Sequence, residues 1–251
     1  MYRKGNAVKK ICCVLFAALL CCSTVCAAAT GGNADAPGQP PTEAEAVYVS
    51  PDALTHDGYT LDRVVVLSRH NIRSPLTGED WEAGKEPAVQ GSLKTASELS
   101  DALLLSAPLV ARNAANPLLK EIQSEMTNRE RKFTFLCGHD LNLGCLLDSL
   151  EVEPYELPLA IEKRTPIGSK LVFSRWRSEG GEAFWDVDLV YQTPAQLRNA
   201  DILTWEHSPS IYDLSFRETE QNADGLYPEK VLLDRFKSAV NAYDSMAETY
   251  R

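Results

Sequence analysis

Beyond its first thirty residues the sequence has no long apolar run, so nothing there reaches the roughly 20 apolar residues that a membrane-spanning helix takes. Cysteine is nearly as scarce. Five of the seven cysteines, Cys12, Cys13, Cys21, Cys22 and Cys26, fall in the N-terminal segment, and the two that remain, Cys137 and Cys145, are too few for a disulfide scaffold. Cys137 is expected to end a strand and Cys145 to sit on the next helix, so both read as buried free thiols; no glycine run beside Cys137 offers a cradle for phosphate. The four histidines show no recognisable metal-ligand spacing, and no internal repeat is evident. Positive charge is also short. Lys and Arg number 25 against 35 Asp and Glu, a formal charge of −10, which argues against nucleic acid and anionic membrane surfaces as partners. An acidic chain must hold an anionic ligand through a local cationic pocket, because long-range attraction has the wrong sign and is screened beyond roughly 8 to 10 Å in physiological salt.

The N-terminus has the tripartite form of a secretory signal. Arg3, Lys4, Lys9 and Lys10 make a basic start, residues 11–22 an apolar stretch too short to span a bilayer comfortably, and Ala27-Ala28-Ala29 a small-residue cleavage region. This predicts a periplasmic or secreted protein, whose charge becomes four units more negative once those four cations leave with the signal. An uncleaved anchor, or a lipoprotein acylated at Cys26, fits less well, since Ser23-Thr24-Val25 does not match the usual residues before an acylated cysteine. Residues 28–47 contain Gly31-Gly32, Pro37 and Pro40-Pro41 with almost no large apolar side chain, and they read as a disordered linker that cannot bury enough surface to offset its ordering entropy. The expected organisation is a signal peptide at 1–27, this linker at 28–47, and one folded domain at 48–251.

Within that domain, residues 61–68 are a Val-rich apolar run, the pattern of a strand covered on both faces as in a parallel sheet. Helical spacing of Leu, Ala and Ile follows over 94–106 and 108–128, the latter with Leu109, Leu118, Leu119, Ile122 and Met126 as a buried stripe. A second buried strand is expected at 133–137 and a short helix at 142–150. Strand-like runs at 170–177 and 184–192, joined across Gly180-Gly181, predict an antiparallel hairpin with Trp176 and Trp185 in its packing. A final helix over 227–250 places Val231, Leu232, Phe236, Val240 and Tyr243 on one face. The fold class these elements suggest is α/β: a three-layer αβα sandwich with a mixed, mainly parallel sheet and a C-terminal hairpin. Ligands in such sheets bind at the carboxyl ends of the strands.

Two motifs sit at such ends. Arg69-His70-Asn71-Ile72-Arg73-Ser74-Pro75 follows the run Val64-Val65-Val66-Leu67, and Cys137-Gly138-His139-Asp140 follows the second strand. Cleavage of a phosphate monoester needs an in-line nucleophile, cations on the equatorial oxygens, and a proton for the leaving oxygen. His70 can attack through an unprotonated ring nitrogen, while Arg69 and Arg73 offer planar, multidentate donors to phosphoryl oxygens. His139 adds a donor, and Asp140 can protonate the leaving oxygen, best under acidic conditions. Neither a metal nor another cofactor is required. Blander readings exist: the arginines as ordinary surface charges, and Asp140 as the N-cap of the helix that starts near Asn142. His56 and His207 read as solvated loop residues, and Lys163, Arg164, Lys170, Arg175 and Arg177 as a solvated strand edge.

The paired motifs resemble those of the histidine acid phosphatase family, the phytase and glucose-1-phosphatase branch of the histidine phosphatase superfamily. Asn71, where many members have Gly, is similar to the glucose-1-phosphatase-like group. The likeness extends to residues 108–132, to Thr165-Pro166-Ile167-Gly168-Ser169-Lys170-Leu171 and to Asn222-Ala223-Asp224-Gly225-Leu226-Tyr227. The resemblance implies that His70 is the nucleophile that becomes phosphorylated, that Arg69, Arg73 and His139 bind phosphate, and that Asp140 is the proton donor. The partner is then a small-molecule phosphate ester, and the reaction the hydrolysis of sugar or inositol phosphates. The oligomeric state is left open.

The chain departs from the family in length. Members carry a helical insert between the motifs that forms one wall of the cleft, with a further arginine on a strand; here fewer than 70 residues separate His70 from His139, and no arginine lies between Arg73 and Arg112. Arg112 belongs to the helical stretch before the second motif and is not given the missing role. The chain looks like a member with internal deletions, its helical cap reduced or absent. Losing one preorganised cation commonly costs a factor on the order of 100 to 1000 in rate, and a deleted strand leaves a gap or an exposed sheet edge. The alternative to an active phosphatase is therefore a truncated, catalytically inactive phosphate-binding remnant.

Overall fold

A computed structural model of the chain describes residues 55–70, 107–160, 162, 164–204 and 207–249. The expected signal, the linker, the helix at 94–106 and the motif residues from Asn71 to Pro75, Arg73 included, lie outside the described residues. The described elements are β1 (Tyr59–Arg69), α1 (Pro108–Thr127), β2 (Phe133–Gly138), α2 (Asp140–Ser149), β3 (Lys170–Ser178), β4 (Ala183–Tyr191), α3 (Pro194–Arg198), β5 (Ser210–Asp213), β6 (Tyr227–Pro228) and α4 (Glu229–Thr249). Among the described residues no helix is long and apolar enough to cross a membrane.

The strands form one mixed sheet in the order β2-β1-β3-β4-β5, with β6 paired to β4. The expected α/β fold and the hairpin, now β3 with β4, are present, but a mainly parallel sheet is not. Only β1 and β2 pair in parallel; every other pair of described strands is antiparallel. Burial of a Val-rich run reports that both faces are covered and says nothing of strand direction. Direction is decided after α2, where the described residues between Leu150 and Ser169 form an irregular return rather than a crossover helix. This segment brings the chain back to the carboxyl end of β1, so β3 starts there and runs the opposite way, with Lys170 opposite Ser68.

Alternation along each strand sends side chains to two faces. On one face Val65, Leu67, Leu171, Phe173, Trp185, Val187 and Leu189 pack against Leu119, Ile122 and Met126 of α1, Leu143, Leu146 and Leu147 of α2, and Leu232 and Phe236 of α4. The other face carries a smaller cluster of Val64, Val66, Val172 and Val190. Leu109 and Val231, expected in buried stripes, are 49% and 39% exposed, because each sits on the solvent side of its helix while Ala111 and Leu232 turn inward. Cys145 is buried as expected, whereas Cys137 is exposed, since β2 has a described neighbour on one side only. His56 is not a solvated loop residue: its Nε2 lies 3.2 Å from Asp186 Oδ2 and its ring packs edge-on against Trp176. Nor are Lys170 and Arg175 solvated; Lys170 is buried with Nζ donating to the Gly168 carbonyl, and Arg175 is bound by Asp62 and Glu229.

Carboxylate oxygens of Asp186, Asp188 and Asp213 lie within 4.8 Å of one another. Asp188 is 8% exposed. Burial first, then the neighbouring Asp186 and Asp213 carboxylates, push its carboxyl well above the usual carboxylate range. A carboxyl raised in the folded state stabilises while it is protonated, and that contribution is lost as pH climbs from the ordinary carboxylate range through the raised value. The melting temperature is thus expected to fall as pH rises toward neutrality. Asp188→Asn should flatten that fall and add on the order of 1 to 3 kcal/mol at neutral pH. Thermal melts across pH check this, and an unaltered slope in the variant counts against it.

Candidate active site

The parallel β1–β2 pair sets both motifs side by side. Arg69 is in register with Gly138, and the His70 N–H donates to the Gly138 carbonyl at 2.9 Å. His70 and His139 consequently stand one residue past adjacent strand ends, their rings 4.8 Å apart and edge to face at 68°. The start of β3 closes the other flank: Arg69 N–H donates to the Ser169 carbonyl at 2.8 Å, and Gly168 N–H to the His70 carbonyl at 3.1 Å. Gly168 has φ +71°, a left-handed conformation that glycine adopts without steric cost, and this turns the return segment into the strand. The main chain of His70 is therefore held from both sides.

His139 is the N-cap of α2, with its N–H donating to Asn142 Oδ1 at 2.8 Å. The turn is tight: a Cβ added at Gly138 would sit 3.0 Å from Asn142 Oδ1. Asp140 is the first residue inside the helix and not its cap, so its carboxylate is left to face the site. Oδ1 accepts from the Leu141 N–H at 2.8 Å, and Oδ2 lies 3.0 Å from Arg69 Nη2.

Arg69 is the buried cation here, 8% exposed at the end of β1. Its Nη2 meets Asp140, while Nη1 donates to Glu162 Oε2 and, at 2.5 Å, to the Thr165 carbonyl. Nε is buried and has no partner among the described residues. Four of the expected site residues, Arg69, His70, His139 and Asp140, thus come together from positions 70 residues apart, and Arg73 lies outside the described residues. Two residues at the site escaped the sequence reading. Thr165 lies in a segment singled out only for its likeness, and Glu162 had no signal, since a lone Glu in a loop is indistinguishable from a solvated charge. Arg112 is elsewhere, in the wall of a 780 Å³ cavity with Asp148, Tyr155, Arg164 and Arg235, whose lining includes none of the four site residues.

A pair of imidazoles beside a buried guanidinium and a carboxylate, all at the carboxyl ends of neighbouring strands, is the equipment that transfer of a phosphoryl group through histidine requires. No family model matches the chain. It is 34% identical over 197 residues to a glucose-1-phosphatase of Salmonella typhimurium, which takes in 76% of this chain and 43% of that protein. A glucose-1-phosphatase of Providencia rettgeri is 30% identical over 197 residues, 62% of this chain and 47% of its own length. Among solved structures, the phytase from Citrobacter braakii superposes with a TM-score of 0.53 at 26% identity, covering 65% of this chain and 42% of that one. These similarities support the histidine acid phosphatase family for this chain. It spans less than half the length of these relatives, a partial coverage that fits internal deletions.

Proposed function

We propose that the chain is an acid phosphomonoesterase that hydrolyses sugar or inositol phosphates through a phosphohistidine at His70. The observation that carries this reading is the placement of His70 against His139 with Arg69 and Asp140 beside them. In the first step a ring nitrogen of His70 bonds to phosphorus as the ester P–O bond breaks, and the departing oxygen takes a proton from Asp140. In the second, water attacks phosphorus, the N–P bond breaks, and Asp140 recovers a proton. Arg69 and His139 hold the phosphoryl oxygens, joined by Arg73 on the strength of the family resemblance. The substrate class follows from the similarity to a glucose-1-phosphatase and a phytase.

The same reading treats residues 1–27 as a signal peptide, 28–47 as a linker and 48–251 as a three-layer α/β domain with a reduced helical cap, exported to the periplasm or beyond. The partner is a small phosphate ester rather than nucleic acid. The short span relative to the relatives favours one alternative, an inactive phosphate-binding remnant.

Release of phosphate by the full chain from glucose 1-phosphate and from an aryl phosphate, measured from acid to neutral pH, tests the proposal. Turnover should be greatest under acid, as the likeness to acid phosphatases implies. A flat or alkaline profile counts against the proposal. Saturable phosphate binding with no turnover at any pH identifies the remnant.

A further inference from the structure

Arg69 presents five N–H donors in a planar fork, a shape that suits two oxygens of a phosphate. In the folded chain that fork is already engaged. Glu162 and Asp140 each place a carboxylate oxygen on it, on Nη1 and Nη2. The two carboxylates differ in what else supports them. Asp140 is anchored in the first turn of α2 and its other oxygen accepts from the Leu141 N–H. Glu162 comes from the irregular return segment, its side chain is 49% exposed, and Arg69 is its sole partner among the described residues. Arg69 does not depend on Glu162 for its position, because the Thr165 carbonyl accepts from the same Nη1 and the main chain of Arg69 is pinned to Ser169.

We propose that Glu162 is a resident competitor for the phosphate pocket: its carboxylate occupies the Arg69 fork in place of a phosphoryl oxygen and must swing out before a dianionic phosphate monoester can bind. Glu162 thereby sets the affinity of the site, and a bound dianion meets one less negative charge only after it has left. This rests on the reading of Arg69 as a phosphate-binding residue. Among the described residues the charged group on Glu162 is Arg69, which also meets Asp140; Arg164, two residues on, is taken by Asp148.

Calorimetric titration of the full chain with inorganic phosphate tests this, comparing wild type with Glu162→Gln and Glu162→Ala. Both variants should bind phosphate roughly tenfold more tightly at neutral pH, a gain between the limits for an exposed and a buried charge pair. Equal or weaker binding by the variants overturns the inference, since a residue that merely braces Arg69 cannot improve affinity when removed. Hydrolysis of glucose 1-phosphate by the same samples separates the two claims. A wild type that turns over while the variants gain no affinity sinks the competitor alone, whereas absence of phosphate binding in all three proteins sinks both.

Discussion

Alanine at His70 should abolish release of phosphate, a loss on the order of 10⁴-fold or more, because it removes the group assigned the bond to phosphorus in the first step. The expectation is sharp because the fold should not notice. The main-chain bonds of His70, its N–H to the Gly138 carbonyl and its carbonyl accepting from the Gly168 N–H, are kept by alanine, which gives up the ring's contact with His139. Melting temperatures of the two proteins should therefore agree within a few degrees while activity disappears. A denaturing alkaline quench of wild type turning over ³²P-labelled substrate should leave label on the protein that is stable to base, released by acid, and missing from His70→Ala. Retained turnover in the variant would falsify the phosphohistidine route, whatever other activity the chain then proved to have.

At Arg69 the expected loss is smaller and its form is more informative. Removing one preorganised donor to a developing charge costs on the order of 100 to 1000-fold in rate. Arg69→Ala should cost at least that, because Nη1, Nη2 and the orphaned Nε are donors of one fork. Stability should suffer too. Truncation leaves the Thr165 carbonyl without its donor and puts Asp140 and Glu162 side by side without a cation, a penalty of about 1 to 3 kcal/mol for the unsatisfied group alone. Arg69→Lys discriminates between the two effects, since it restores the charge but not the planar pair of donors. Lysine should recover most of the melting temperature and little of the activity. If it recovers both, Arg69 contributes only its charge, and the geometric argument for phosphate recognition fails.

Part of this site was plain in the order of residues. An Arg-His pair after a buried Val run, and Gly138-His139-Asp140 after a second apolar run, place chemistry at strand ends, since apolar continuity marks the strand and the polar break marks its mouth. The hairpin across Gly180-Gly181 was legible for the same reason, and the register of Lys170 to Arg177 against Val190 to Ala183 follows from it. Strand direction was not legible. Val64 to Leu67 read alike beside a parallel or an antiparallel neighbour, and the direction of β3 depends on where the chain returns after α2, through a stretch of sequence without periodicity.

What the sequence by itself determined is the inventory: a histidine and its cations at one strand end, a histidine and an acid at another, in a chain too acidic to attract an anion from a distance. Only the tertiary structure decided who meets whom. Parallel pairing of β1 with β2 brings the two imidazoles together across 69 positions, and the return segment delivers Thr165 and Glu162 onto Arg69. Local pattern specifies secondary structure because it acts between near neighbours, whereas a long-range ion pair is set by where an aperiodic loop ends, and no short-range rule encodes that.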